Sequence, residues 1–126
     1  MPYSVSQRIL WLAVLGLTMV ALTPAGYARS GKCFLQVRGT VYLNSKCEIE
    51  KDNKRGTFSI GRGQTKRSKY FAMVDIDSSS GEGRGFWNGT DATAHAQEEL
   101  GKLVKQGACW VDYIKNPSIK VCGSRK

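Results

Sequence analysis

Beyond residue 30 the chain alternates apolar and polar positions in short runs, and turn-forming residues interrupt each run. Alternation with a period of two puts successive side chains on opposite faces of a strand, so the pattern predicts sheet. Cys33 to Val37 and Thr40 to Leu43 make the first two strands, joined across Arg38-Gly39. Cys47 to Glu50 and Thr57 to Ile60 flank the polar loop Asp52 to Gly56. Tyr70 to Asp77 carries the clearest alternation. Tyr70, Ala72, Val74 and Ile76 are expected to face the core, and Phe71, Met73, Asp75 and Asp77 to face away. After the flexible segment Ser78 to Gly83, Gly85 to Asn88 returns as a strand that Asn88-Gly89 stops. Ala108 to Ile114 and Ser118 to Cys122 follow, turning at Lys115-Asn116-Pro117, and Lys102 to Lys105 is a further candidate strand. Thr93 to Leu100 is the only stretch read as helix, and at that length it is marginal. No repeat or linker divides the series. The expected fold is all-β: a small antiparallel barrel or sandwich of about seven to eight short strands, with the barrel preferred.

The N-terminus follows a different pattern. Ile9 to Leu22 is an uncharged apolar run, preceded by Arg8 and followed by Pro24 and the small residues of Gly26-Tyr27-Ala28. This is the arrangement of a signal peptide over residues 1–28. The run is shorter than the roughly 20 residues that span a bilayer, so no stable membrane insertion is expected after cleavage. Residues 29–126 are then expected to form a single domain, periplasmic or secreted.

Export changes the meaning of the cysteines. Cys33, Cys47, Cys109 and Cys122 are an even set in a short exported chain, which reads as two disulfides. Three pairings are possible. Cys33–Cys47 with Cys109–Cys122 is the expectation, because each pair brackets a predicted hairpin and closes a short loop, contributing roughly 3 kcal/mol. Zinc is disfavoured by wide spacings without a CxxC motif.

Charge adds a candidate surface. The net charge is +9, and it falls only to +8 without Arg8, the sole charged residue of the leader. Lys51, Lys54, Arg55, Arg62, Lys66, Arg67 and Lys69 are opposed only by Asp52, and Phe58 and Tyr70 lie among them. An anionic envelope polymer such as an acidic glycan or lipopolysaccharide would be attracted to such a stretch. The plain alternative is a solvated loop. Nucleic-acid binders combine cations and aromatics in this way, but no recognition motif is present and export removes a genomic target.

Catalytic chemistry finds little support. His95 is the only histidine and sits in a polar stretch, without the serine and carboxylate spacing of a triad. Cysteines held in disulfides offer no thiolate. Asp75 and Asp77 would project from one strand face about 7 Å apart, as solvated carboxylates also do. The same pair begins a run with oxygens at alternate positions, but Ser80 and Phe86 stand where a calcium loop needs Gly and a bidentate Glu. The chain is therefore expected to be no enzyme, with no cofactor and no metal. Asn88-Gly89-Thr90 fits the N-glycosylation pattern and equally a turn.

Three segments taken together resemble a family. Ser78-Ser79-Ser80-Gly81, then Phe86-Trp87, then Asn88-Gly89-Thr90 are similar to the serine loop, aromatic strand and polar turn of bacterial periplasmic or membrane-bound inhibitors of c-type lysozyme. Phe86 stands where that family carries a first Trp. The resemblance implies a small disulfide-linked β-barrel whose serine loop enters the lysozyme cleft while a neighbouring loop adds polar contacts. The partner-binding residues would be Ser78, Ser79, Ser80, Gly81 and Glu82, and the partner a c-type lysozyme. Asp75, Asp77, Glu82 and Asp91 are expected to make that region locally acidic and so to favour a basic partner. The alternative site is the anionic-ligand surface of Lys54, Arg55, Arg62, Lys66, Arg67 and Lys69.

Overall fold

The computed structural model describes residues 28–52, 54, 56–63 and 66–124. The expected leader falls almost wholly outside these residues, and Ala28 opens the first strand. Eight strands follow in chain order: β1 (Ala28–Val37), β2 (Thr40–Asp52), β3 (Thr57–Arg62), β4 (Arg67–Ile76), β5 (Gly83–Trp87), β6 (Glu98–Gln106), β7 (Cys109–Val111) and β8 (Lys120–Ser124). Each pairs antiparallel with the next, and β8 pairs with β1, so the sheet closes into a barrel. Closure leaves no free sheet edge.

The expected alternation builds the interior. Cys33, Leu35 and Val37 of β1, Ala72 and Val74 of β4, and Leu103 and Val121 are almost completely buried in one cluster. β5 contributes glycine where neighbours are large. A Cβ on Gly83 would sit 2.5 Å from Val74 and 3.1 Å from Trp110, and one on Gly85 would sit 2.6 Å from Leu103. Small residues opposite large ones let a narrow barrel fill without strain.

Local chemistry sets the turns and irregularities. Arg38 and Gly39 both take positive φ, 50° and 85°, as a two-residue hairpin with a type I′ twist requires. β2 is one continuous strand where the sequence suggested two pieces. Its register shifts so that Gln36 faces Val41 and Leu35 faces Leu43, leaving Tyr42 as an extra residue. The rings of Tyr70 and Trp87 pack against Tyr42 at 5.0 and 4.7 Å between centroids, closing one end of the interior.

Two expectations are corrected. The helix over Thr93 to Leu100 does not form: no helix occurs among the described residues, and Glu98 to Leu100 instead opens β6, with Glu98 facing Trp87. Eight residues without a full apolar stripe cannot stabilise a helix against the pairing that β5 offers. The strand expected over Ala108 to Ile114 is only three residues long. Asp112 ends it, its carboxylate accepting from Ser118 N, Ser118 Oγ and Ile119 N at 2.8–3.0 Å. Burial pushes this carboxyl up, but those hydrogen bonds outweigh it and hold it below the ordinary carboxylate value.

Both expected disulfides are present. Cys33–Cys47 links β1 to β2 on the inward face, and Cys109–Cys122 joins directly opposed residues of β7 and β8.

Candidate functional site

Strand direction sorts the connections between the two barrel ends. The β2–β3, β4–β5 and β6–β7 connections gather at the end where β1 starts and β8 finishes. This is the cavity end. The β1–β2, β3–β4, β5–β6 and β7–β8 connections gather at the other, where Tyr42, Tyr70 and Trp87 fill the interior. This is the aromatic end.

The serine loop lies at the cavity end between β4 and β5. Ser79 donates from its N–H and Oγ to Asp77 Oδ1 at 2.9 and 2.8 Å. Gly81 N donates to Asp77 O, and Asp77 N to Glu82 O, both at 2.8 Å. Ser80 Oγ accepts from Glu82 N at 3.2 Å. Gly81 takes φ 77°, a conformation that favours glycine. The Ser79 hydroxyl, and then the Ser79 N–H, hold the Asp77 carboxyl below its usual value. Ser78, Ser79, Ser80 and Gly81 are exposed, and Glu82 is half-buried with an oxygen 3.4 Å from Lys102 Nζ. The loop therefore projects into solvent but is braced from within.

Its expected neighbour is elsewhere. Asn88, Gly89 and Thr90 follow β5 and so lie at the aromatic end, together with Asp91. Asp75, Asp77 and Glu82 alone of the four acids stay with the loop. Asn88 is 2 % exposed. Its Oδ1 accepts from Phe71 N at 2.9 Å, and its Nδ2 donates to Lys69 O and Thr93 O at 2.9 and 3.0 Å. Its amide is thus consumed in tying the β5–β6 loop to β4. Sequence reasoning saw a turn here, not a clamp.

The basic stretch is divided by β3. Lys54 belongs to the cavity end, where its N–H donates to Asp52 Oδ1 at 3.0 Å. Arg55 lies outside the described residues. Arg62, Lys66, Arg67 and Lys69 are at the aromatic end, roughly 17 Å of strand away. There Arg62 and Arg67 face each other across β3 and β4, both over the Phe71 ring, at 5.8 and 5.3 Å from its centroid. Lys69 Nζ lies 5.4 Å from the Tyr70 centroid. Phe71 was expected to face away from the core. It does leave the barrel interior, yet it is 1 % exposed, with the two guanidinium groups over it.

The sequence reading missed a cavity of about 660 Å³ at the end that carries the serine loop. Ile49, Phe58, Ile76 and Trp110 form its apolar walls, Gly81 touches it, and Arg29, Lys51 and Lys105 stand around it. A signal for it existed. Lys51 continues the inward set of Cys47 and Ile49, and Lys105 follows Leu103 in the same way. A cation at the end of an inward alternation marks a barrel mouth open to water.

These features define the chain as a closed, eight-stranded, disulfide-linked antiparallel barrel, open at one end and filled by aromatic rings at the other. Comparison with known protein families, curated proteins and solved structures finds no match.

Proposed function

We propose that the chain is an exported binding protein that acts through contact rather than catalysis, docking its Ser78–Glu82 loop into the cleft of a partner protein. The resemblance in sequence nominates a c-type lysozyme. The observation that carries this reading is the internal bracing of an exposed loop. Ser79, Ser80 and Gly81 bond back to Asp77 and Glu82, so little conformational freedom remains to be lost on docking. Asp75, Asp77 and Glu82 beside it would attract a basic partner. Two disulfides suit an oxidising compartment such as the periplasm or the exterior. The docking face is confined to the cavity end, since the Asn88–Thr90 turn lies at the other. Purified protein at micromolar concentration should slow lysis of a cell-wall suspension by a c-type lysozyme. Asp77→Ala, which removes the two Ser79 bonds of the brace, should weaken inhibition about tenfold. Undiminished lysis by excess protein rejects the reading.

A second reading has its own observation. Arg62 and Arg67 lie over Phe71 with Lys69 beside them, so three cations are fixed on one surface where an acidic glycan or lipopolysaccharide could lie. Because β3 separates Lys54 from this cluster, the two should behave differently. Arg67→Ala should elute from an anionic polysaccharide matrix at clearly lower salt, and Lys54→Ala close to the parent. Equal shifts for both variants would mean adsorption by net charge alone.

A further inference from the structure

The cavity pairs apolar wall and cation residue by residue. In the strand register Arg29 faces Ile49, Lys51 faces Phe58 and Lys105 faces Trp110. Directly opposed residues share a sheet face, so each of these cations projects on the same face as an apolar wall residue. Ile49, Phe58 and Trp110 are 6 %, 4 % and 4 % exposed, whereas Arg29, Lys51 and Lys105 are exposed. The result is an apolar floor beneath a positive mouth. Among the described residues no carboxylate lines the cavity. Among the described residues none of the three cations has an ion-pair partner: Lys105 Nζ donates to Gly107 O at 2.9 Å, and Lys51 Nζ lies 6.0 Å from the Phe58 centroid. Gly123 also lines this floor, and a Cβ there would come within 3.2 Å of Ile49, Phe58 and Ile60.

We propose that this cavity binds a single-chain anionic amphiphile, with its aliphatic tail against Ile49, Phe58, Ile76 and Trp110 and its carboxylate or phosphate head among Arg29, Lys51 and Lys105. The volume lies within the roughly 300–1,000 Å³ of small-molecule sites. A neutral hydrocarbon would leave three cations without a role, and a small anion would leave the apolar walls wet. A molecule joining both parts satisfies both surfaces. This site lies at the same barrel end as the docking loop and shares Gly81 with it, but its ligand and its test are separate.

The full chain, expressed with its own N-terminus and recovered in a form defined by mass, is titrated with dodecanoate, dodecyl phosphate, dodecanol and inorganic phosphate. Calorimetry and tryptophan emission, to which Trp110 in the cavity wall contributes, follow binding. Saturable micromolar binding of at least one anionic amphiphile is expected, and the tighter of the two identifies the head group. Dodecanol should bind at least about tenfold more weakly, and inorganic phosphate should produce no heat. Lys51→Gln with Lys105→Gln should weaken the preferred amphiphile about tenfold without changing dodecanol, and Ile76→Trp should obstruct the mouth to both. Arg29→Gln, a single change at an exposed position, repeats the head-group test if the double variant does not fold. Failure of both anionic amphiphiles to bind, or equal binding of dodecanol, overturns the proposal. Inhibition of lysozyme is read in a separate assay, so either idea can fail alone.

Discussion

Replacing Asn88 by Ala is expected to lower stability by about 3–4 kcal/mol, a large share of the roughly 5–15 kcal/mol that holds a small domain together. The side chain is 2 % exposed and uses both ends of its amide. Truncation leaves the buried Phe71 N without its acceptor, at about 1–3 kcal/mol, and takes the donors from the part-buried carbonyls of Lys69 and Thr93, which adds a smaller loss at each. Asn88→Asp keeps the shape and the acceptor, but at neutral pH it turns a negative charge toward two carbonyl oxygens. Burial there would raise the new carboxyl above its unfolded value. The penalty should therefore be greatest near pH 7 and shrink toward pH 4, as protonation removes the charge and restores one donor. Urea unfolding of the parent and both variants at the two pH values measures this. Losses below about 1 kcal/mol in both variants would show that the clamp does not hold the β5–β6 loop.

The second large effect concerns the inward disulfide. Cys33→Ala with Cys47→Ala should cost about 3–4 kcal/mol, most of it from freeing the unfolded chain. The companion variant, Cys109→Ala with Cys122→Ala, is an internal reference. The two bridges span sequence separations of 14 and 13, so their loop terms are nearly equal. They differ in surroundings: Cys33 and Cys47 are 3 % and 8 % exposed inside the core, whereas Cys109 and Cys122 are only half-buried. The first pair should therefore cost about 1 kcal/mol more, from lost packing. Urea melts under non-reducing conditions compare them. Equal losses would place both bridges on the same footing and remove the packing contribution.

The class of fold and the pairing of the cysteines were legible because they rest on local signals. Period-two alternation placed Ala72 and Val74 in the core, and hairpin bracketing paired the sulfurs. The β1–β2 turn could be read from Arg38-Gly39 alone. What was not legible depended on neighbours distant in sequence. Glu98 to Leu100 has no strong strand preference of its own and becomes a strand because β5 offers it a partner. Asp112 ends β7 by reaching Ser118 and Ile119, which no window around residue 112 reveals. The candidate sites suffered in the same way. Lys54 and Arg67 look adjacent in a basic run, yet one short strand carries them to opposite ends. Ser80 and Asn88 are eight residues apart and likewise separated. The cavity is made from β1, β2, β3, β4, β6, β7 and β8 together, so only the inward placement of Lys51 and Lys105 announced it.

The seam between β1 and β8 has a kinetic consequence. Every other pairing joins strands consecutive in the chain, whereas this one brings Gln36 to Lys120 and Lys32 to Ser124. The largest single loop-closure cost of the topology falls on that event, so seam formation should be the slow step of assembly. Until it happens the molecule is an open meander with two bare edges, the state most prone to join another chain. The bridges lie in the hairpins that carry those edges, one on each side of the gap. Early oxidation would hand the last step two rigid ribbons in place of two loose strands, and so shorten the interval in which chains can misjoin.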